Sequence, residues 1–409
     1  MHPLYADFNS SDPDLNKMTL CLDCAKHPSL KRFVDRYGVE GPVCGICQEV
    51  NYPYRACAAD RKDDLVNLTK ALVRFYFDEH EYNPHWGGDD GPSFLLTATN
   101  PILEDQSTAH RTRSREQSAD FLYDLFSALP YPNPEEGLSI YAGHDDGIRN
   151  ISFSLKDNES WKLRSLRERL ATENYFDVEP SVSKIFDQFA NRITQVIPAG
   201  ARYFRARIGI SGRYADRSDT NGWDHKVLRK PYTGNEIGAP PPQIATPGRL
   251  NRAGVSFLYL ASDTLTAAAE IRPHPGHYLS IGAFECHSEI KIASFEADLI
   301  DFSGSEHDLE LFHFIYSTDV LMARPVVPGE ARRYSITQLL AECIRQKGFD
   351  GVMFKSSVGQ GQNLCVFKPD LFAYVDGTAE VHEVKSLSYD LKPCPTVLKP
   401  DLNGSHFQI

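Results

Sequence analysis

Arginine, tyrosine and glutamate recur at set intervals in one stretch of the chain. Residues 248–270 read Gly-Arg-Leu-Asn-Arg-Ala-Gly-Val-Ser-Phe-Leu-Tyr-Leu-Ala-Ser-Asp-Thr-Leu-Thr-Ala-Ala-Ala-Glu. A planar guanidinium makes paired, charge-assisted bonds to phosphate oxygens. Arg249 sits in a Gly-Arg turn where backbone and side chain approach a ligand together, with Asn251 beside it. Tyr259, in the apolar run Phe257-Leu-Tyr-Leu260, could stack on a heteroaromatic ring such as nicotinamide. Glu270 falls eleven residues later, on a helix started by Ser262 or Asp263 as N-cap. Arg205 and Arg207 precede the stretch on one face of a strand. Phe349-Asp-Gly-Val-Met-Phe-Lys-Ser-Ser357 follows it and ends in two hydroxyls, Ser356 and Ser357. Taken singly, each has a plainer reading: a salt-bridged strand arginine, a core tyrosine with its hydroxyl satisfied, a solvent-facing glutamate, turn serines. Together they form a cradle for an anionic dinucleotide with a carboxylate near its ribose.

A second constellation lies at the N-terminus. Cys21-x2-Cys24 and Cys44-x2-Cys47 are two thiolate pairs, which together complete a tetrahedral four-sulfur shell of the kind zinc takes. Four protein ligands leave no open position, so the expected ion is structural. Of the nine cysteines, Cys57, Cys286, Cys343, Cys365 and Cys394 are scattered. Cys343 and Cys365 lie in apolar patterns and read as core.

The elements that must position these groups follow from periodicity. Leu65, Leu68, Leu72 and Phe75 or Tyr76 recur at helical spacing, as do Phe121–Leu129, Leu163–Leu170, and Val182, Ile185, Phe186, Phe189, Ile193 and Val196. At Pro198-Ala-Gly200 the period changes to alternation, with Phe204, Ala206 and Ile208 on one face and Tyr203, Arg205 and Arg207 on the other. Residues 211–247 read as a long polar loop whose Pro240-Pro-Pro242 is a candidate lid. Strands are expected near 256–261, 279–285, 290–295, 350–355 and 364–368. Helices are expected near 264–271, 307–322 and 336–347. Ser335 and Gln338 make a capping box for the last, and Gly348 marks its stop. The irregular mixture predicts an α+β fold rather than a doubly wound sheet.

The chain has 409 residues, 41% hydrophobic and 24% charged, as expected for a soluble protein of more than one domain. A formal charge of −12, from 55 acidic against 43 basic residues, argues against nucleic acid or an anionic membrane as partner. No apolar run approaches the roughly 20 residues of a membrane span, and the first residues lack a secretory pattern. With its cysteines in a metal-type array, the chain is expected in a reducing cytoplasm.

The set Arg205, Gly248-Arg249-x-Asn251, Leu258-Tyr259-Leu-Ala-Ser262, Ala269-Glu270 and Asp350-Gly351-x3-Lys-Ser356 resembles the RES domain over about residues 195–375. The N-terminal part resembles the HEPN-like region found ahead of some RES domains. The resemblance implies an ADP-ribosyltransferase-like fold and degradation of NAD+, in the manner of toxins of RES–Xre toxin–antitoxin pairs, for growth arrest or phage defence. It implies that Arg205 and Arg249 bind diphosphate and ribose; Arg207 and Asn251 are candidate further cofactor contacts. Tyr259 would pack on nicotinamide, Glu270 would stabilise the cationic sugar, and Ser356 would orient the ribose or the nucleophile. Arg207 or Arg252 would supply a second arginine cluster if phosphate is the acceptor. The expected segments are 1–58 zinc module, 59–190 helical HEPN-like domain, 191–380 RES domain and 381–409 extension. NAD+ is the expected substrate, Zn2+ the structural ion and inorganic phosphate a candidate co-substrate. An antitoxin or regulatory protein, or a second copy of the chain, is a candidate partner.

Two other readings stand beside it. Protein ADP-ribosylation would use the same site. RNA cleavage would use the zinc module and Arg74-Phe-Tyr-Phe-Asp-Glu-His80, which loosely resembles the arginine–histidine pair of HEPN ribonucleases. For that pair, a surface arginine and a helix-terminal histidine is the favoured reading.

Overall fold

A computed structural model of the chain describes residues 19–40, 44–46, 55–57, 61–78, 81, 102, 153–216, 226–324, 334–388, 391 and 393. The expected helix at 121–129, His80, Cys47 and Cys394 lie outside the described residues. The fold is mixed α/β, built on a nine-stranded sheet.

The N-terminal elements are α1 (Pro28–Tyr37), β1 (Gly38–Glu40), β2 (Arg55–Cys57) and α2 (Lys62–Tyr76). They are followed by α3 (Trp161–Thr172) and α4 (Tyr175–Asp187). α1 starts at Pro28, where a fixed φ suits the first turn, and the His27 ring nitrogen Nδ1 accepts from Ser29 N. The expected fourth helix is shorter than its spacing suggests. α4 ends at Asp187, turns carry Phe189 and Ile193 into the core, and Val196 lies on β3 (Thr194–Ile197). β3 pairs antiparallel with β9 (Ile290–Ser294), and this ladder overrides the helical period.

The remaining strands are β4 (Arg202–Ile208), β7 (Leu258–Ala261), β8 (Tyr278–Cys286), β10 (Gly351–Lys355), β11 (Gln362–Val366), β12 (Phe372–Tyr374) and β13 (Glu380–Glu383). The sheet order is β12-β8-β4-β7-β11-β10-β9-β3, with β13 also on β8. β10 and β9 are parallel, and the other pairs are antiparallel. The strand at 380–383 falls within the expected polar extension. It pairs with residues 278–281, so the sheet runs past 380.

The described residues of the expected loop 211–247, which are 211–216 and 226–247, include regular elements. They hold a separate hairpin of β5 (Gly212–Asp216) and β6 (Lys226–Lys230), then single 3-10 turns at Gly234–Glu236 and Pro242–Ile244. Ile237 anchors the segment in the core, and the Pro240 carbonyl accepts from Ser256 Oγ.

Three further helices are found among the described residues: α5 (Thr264–Glu270), α6 (Glu306–Ala323) and α7 (Ser335–Gln346). α6 is buried on nearly every side, which explains why it lacks a polar stripe. Its Phe312 and Tyr316 pack edge-on against Phe75 of α2, at 5.6 and 5.0 Å between ring centroids. One continuous core joins the N-terminal helices, α3, α4, α6, α7 and the sheet, so it crosses the expected boundary at 190. The expected capping box does not form. Tyr334 is the N-cap of α7 without a side-chain bond, because the Gln338 amide donates instead to the Gly248 and Asn251 carbonyls. Gly348 does stop α7, with φ +83°.

Candidate active site

Cross-strand register assembles the site. Phe204 faces Ala261, Ala261 faces Asn363, and Asn363 faces Phe354, so four neighbouring strands contribute one row to one face of the sheet. α5 packs Ala267 over part of that face, against Ala206, Ala261, Leu279 and Ile281. α6 and α7 cover another part, through Tyr259, Cys365, Val352 and Phe354. β4 and β7 pair at a single register position. A cleft of about 240 Å³ opens at this split, lined by Phe204–Ala206, Arg249, Tyr259–Ala261, Ala267, Glu270, Ile271, Phe354 and Asn363.

Glu270 reaches the cleft from the last turn of α5, whose N-cap is Asp263, accepting from Thr266 N at 2.7 Å. One carboxylate oxygen, Oε1, accepts from Ser356 Oγ at 2.7 Å and from Asn363 Nδ2 at 2.6 Å. Of the two adjacent serines, Ser356 is therefore the one joined to Glu270, and Ser357 is exposed. Ser356 Oγ also accepts from the Val358 and Gly359 amides, which fixes the turn after β10.

Arg205 enters at the strand split. Its Nη1 donates to the Tyr259 carbonyl at 2.9 Å, while its Nε has no hydrogen-bond partner. Burial pulls its pKa down to about 10, so the guanidinium remains charged at neutral pH. A buried, under-bonded cation is costly and attracts an anion. Arg249 donates to the Met322 carbonyl at the end of α6, and its guanidinium lies 5.7 Å from the Phe354 ring centroid.

The Tyr259 ring lines the cleft, but its hydroxyl is fully engaged. It donates to Asn251 Oδ1 at 2.8 Å and accepts from Leu250 N at 3.1 Å. Burial raises its pKa well above the usual phenol range, so it stays a donor. Asn251 is 5% exposed, and its amide donates to the Thr246, Arg252 and Val255 carbonyls. These bonds make Asn251 the organiser of the 246–255 turn behind Tyr259, away from the cleft lining. The turn leaves no room at Gly248, where a Cβ would lie 2.4 Å from Asn251 Oδ1.

Two other expected arginines lie elsewhere. Arg207 is exposed, sits 4.3 Å over the Tyr232 ring and donates to the Glu236 carbonyl. Arg252 stacks 3.7 Å over Tyr175 and lines a separate cavity with Phe176 and Glu342. Neither lines the cleft, where Arg205 and Arg249 are the arginines among the described residues. The Pro240–Pro242 segment is likewise absent from the cleft lining. Arg74 donates to the Phe153 carbonyl, a structural tie. Spacing does not single out Asn363 or Phe354, which also line the cleft. Their signal is weak: a polar residue second in a strand that continues apolar, and an aromatic two positions before the serine.

At the N-terminus, Cys21, Cys24 and Cys44 are buried with their sulfurs all within 4.8 Å of one another. Cys24 N donates to Cys21 Sγ and Ile46 N to Cys44 Sγ, as amides do around thiolate ligands. A zinc ion with bonds of about 2.3 Å sets its sulfurs about 3.8 Å apart, so this trio fits such an ion. Cys286, Cys343 and Cys365 are buried in the core, and burial pushes the Cys343 thiol up to about 12.

Comparison with known proteins gives one domain match. Residues 217–389 match the RES domain. The match begins after β4 and so leaves out Arg205. No curated protein matches the sequence. Among solved structures, the chain is similar to one in the crystal structure of the M. tuberculosis MbcT-MbcA toxin-antitoxin complex. The identity is 10% and the TM-score 0.26, over 50% of this chain and 92% of that one. Among the described residues no helix is long and apolar enough to cross a membrane.

Proposed function

We propose that the chain degrades NAD+ by breaking the bond between nicotinamide and ribose, a reading supported by the match of residues 217–389 to the RES domain. The observation that carries this is Glu270, a carboxylate held by two donors in the lining of a cleft whose other charged residues are Arg205 and Arg249.

The chemistry suits those groups. Nicotinamide leaves as a neutral base, taking the electron pair of the C1′–N bond. The ribose becomes an oxocarbenium cation, which a nearby carboxylate stabilises. Arg205 and Arg249 bind the diphosphate, and the unpartnered Nε of Arg205 supports that role. The Tyr259 and Phe354 rings form apolar walls for the nicotinamide. An acceptor oxygen then bonds to C1′. Phosphate gives a ribose 1-phosphate ester, and water gives the free sugar with release of a proton. The fold is read as ADP-ribosyltransferase-like, the setting as growth arrest or phage defence in the cytoplasm, and the partner as an antitoxin or regulatory protein.

The test is nicotinamide release by the purified chain from NAD+, with and without phosphate. Release is expected, and Glu270→Gln should abolish it while leaving the melting curve unchanged. No release under either condition would overturn the proposal. Label appearing on protein rather than in small products would favour ADP-ribosyl transfer through the same site.

The N-terminal trio is proposed to hold a structural Zn2+ through Cys21, Cys24 and Cys44, with Cys47 as the fourth ligand by spacing. When bound, the ion would neutralise thiolates in a buried module and supply folding energy rather than catalysis.

A further inference from the structure

We propose that Asn363 is a positioning residue, which selects the oxygen of Glu270 that faces the substrate. The inference rests on the reading of Glu270 given above and goes beyond it.

Asn363 is 6% exposed and sits in β11 with a paired strand on either side, Phe354 on β10 and Ala261 on β7. A carboxylate only accepts hydrogen bonds, so the amide nitrogen must be the atom facing it. Nδ2 donates to Glu270 Oε1 at 2.6 Å, and Ser356 Oγ donates to the same atom at 2.7 Å. Convergence of two donors on Oε1 fixes the terminal carboxylate torsion, which is otherwise broad. It leaves Oε2 for the ribose and its developing charge. The two donors differ in rigidity. Ser356 lies where β10 gives way to a turn, and its hydroxyl can rotate toward a ligand. Asn363 is held in the ladder, so it is the donor that keeps Glu270 in place while Ser356 changes partners.

The choice of an amide follows from charge. Aspartate has nearly the same shape, but its carboxylate would meet the Glu270 carboxylate at hydrogen-bond distance. Two such groups share one proton, and the pair titrates as a unit with its upper pKa raised. While that proton is present, the introduced carboxyl donates to Oε1 as the amide did. Once it leaves, the two charges repel and Glu270 is displaced.

The experiment measures nicotinamide release by the full-length chain across pH for wild type, Asn363→Leu and Asn363→Asp. Losing a donor to a charged group predicts that Asn363→Leu lowers kcat about 10- to 100-fold with KM nearly unchanged. Asn363→Asp should work at acidic pH and lose activity as pH rises, an alkaline limb missing in wild type. Wild-type kcat in Asn363→Leu would overturn the proposal. So would a pH profile for Asn363→Asp that matches wild type or is lowered equally at every pH. If Asn363→Leu fails to fold, judged by its melting curve, the profile of the nearly isosteric Asn363→Asp decides. Absence of release by wild type would instead defeat the reading of Glu270 itself.

Discussion

Two neighbouring serines at the end of β10 illustrate how residue-scale chemistry separates positions that the sequence leaves equivalent. Ser356 Oγ donates to Glu270, whereas Ser357 is exposed. Ser356→Ala is expected to lower nicotinamide release about 10- to 100-fold, the loss of one hydrogen bond to a charged group. Ser357→Ala should stay within about twofold, as exposed substitutions usually do. Steady-state rates of the two variants check this, and equal effects would undo the assignment. The same scale explains the arginines. Alternation correctly put Arg205 and Arg207 on one strand face, but a face is not a site. Arg205 falls where β4 and β7 part, and Arg207, two residues on, stacks on Tyr232 instead. Asn251 was legible as a residue of the turn. That its amide would be taken up by three backbone carbonyls depends on how the turn closes.

At the scale of elements, strands and helices from 256 to 368 lie close to where periodicity puts them. The departures have identifiable causes. Residues 182–196 keep a helical spacing of apolar groups although the chain changes to turns and a strand, because a core can be met at that spacing by either. The polar stretch 211–247 hides a hairpin with every residue of β6 exposed, so it has no inward face to make its alternation visible. One inter-element contact bears directly on the site. The turn after Ser356 docks on the N-terminus of α5, where Gly361 N donates to Thr266 Oγ1 and Gln362 N to Ser262 Oγ. A Cβ at Gly361 would lie 2.2 Å from Asp263 Oδ2 and 2.3 Å from Ser262 Oγ. Gly361→Ala must therefore push the turn off the helix, at a cost of about 1–3 kcal/mol for an overpacked contact. It should also part Ser356 from Glu270 and cut the rate about tenfold or more, in line with loss of a charge-assisted bond. Melting and kinetics measured together test this. A stability loss with full activity would show that the docking does not set the site.

At the scale of the whole molecule, the described N-terminal helices share one core with α6, the helix behind the cleft. Phe186 of α4 lies 6.3 Å from both Phe295 and Phe314, and Phe189 lies 5.9 Å from Phe314. Lys162 of α3 binds Glu310 at 2.6 Å, and Arg36 of α1 binds Asp301 at 3.0 Å. Of these, the contacts at Glu310 and Phe314 brace α6 itself, which carries the Met322 carbonyl that anchors Arg249. A fragment starting at residue 190 would lose Phe186 and Phe189, and each buried Phe side chain accounts for about 3–5 kcal/mol against a total stability of about 5–15. The fragment is expected to aggregate or melt at much lower temperature, as calorimetry or light scattering would show. A soluble fragment with full activity would mean that the halves are independent. Stripping metal with a chelator, or Cys21→Ser, should release about one zinc per chain and lower the melting temperature. An unchanged melting curve and no bound zinc would remove the proposed metal site.

Local sequence by itself determined the elements from 256 to 368, the cysteine knuckles as candidate ligands, and the order arginine, tyrosine, glutamate, serine. Those features depend on side-chain period, capping chemistry and short-range spacing, which are properties of neighbouring residues. Only the tertiary structure decided which of these groups meet. Glu270, Ser356 and Asn363 are brought together by strand register and by one turn docking on one helix. Arg205 is set at the cleft by the parting of two strands far apart in sequence. Register and separation are long-range choices of packing, and local spacing carries no trace of them.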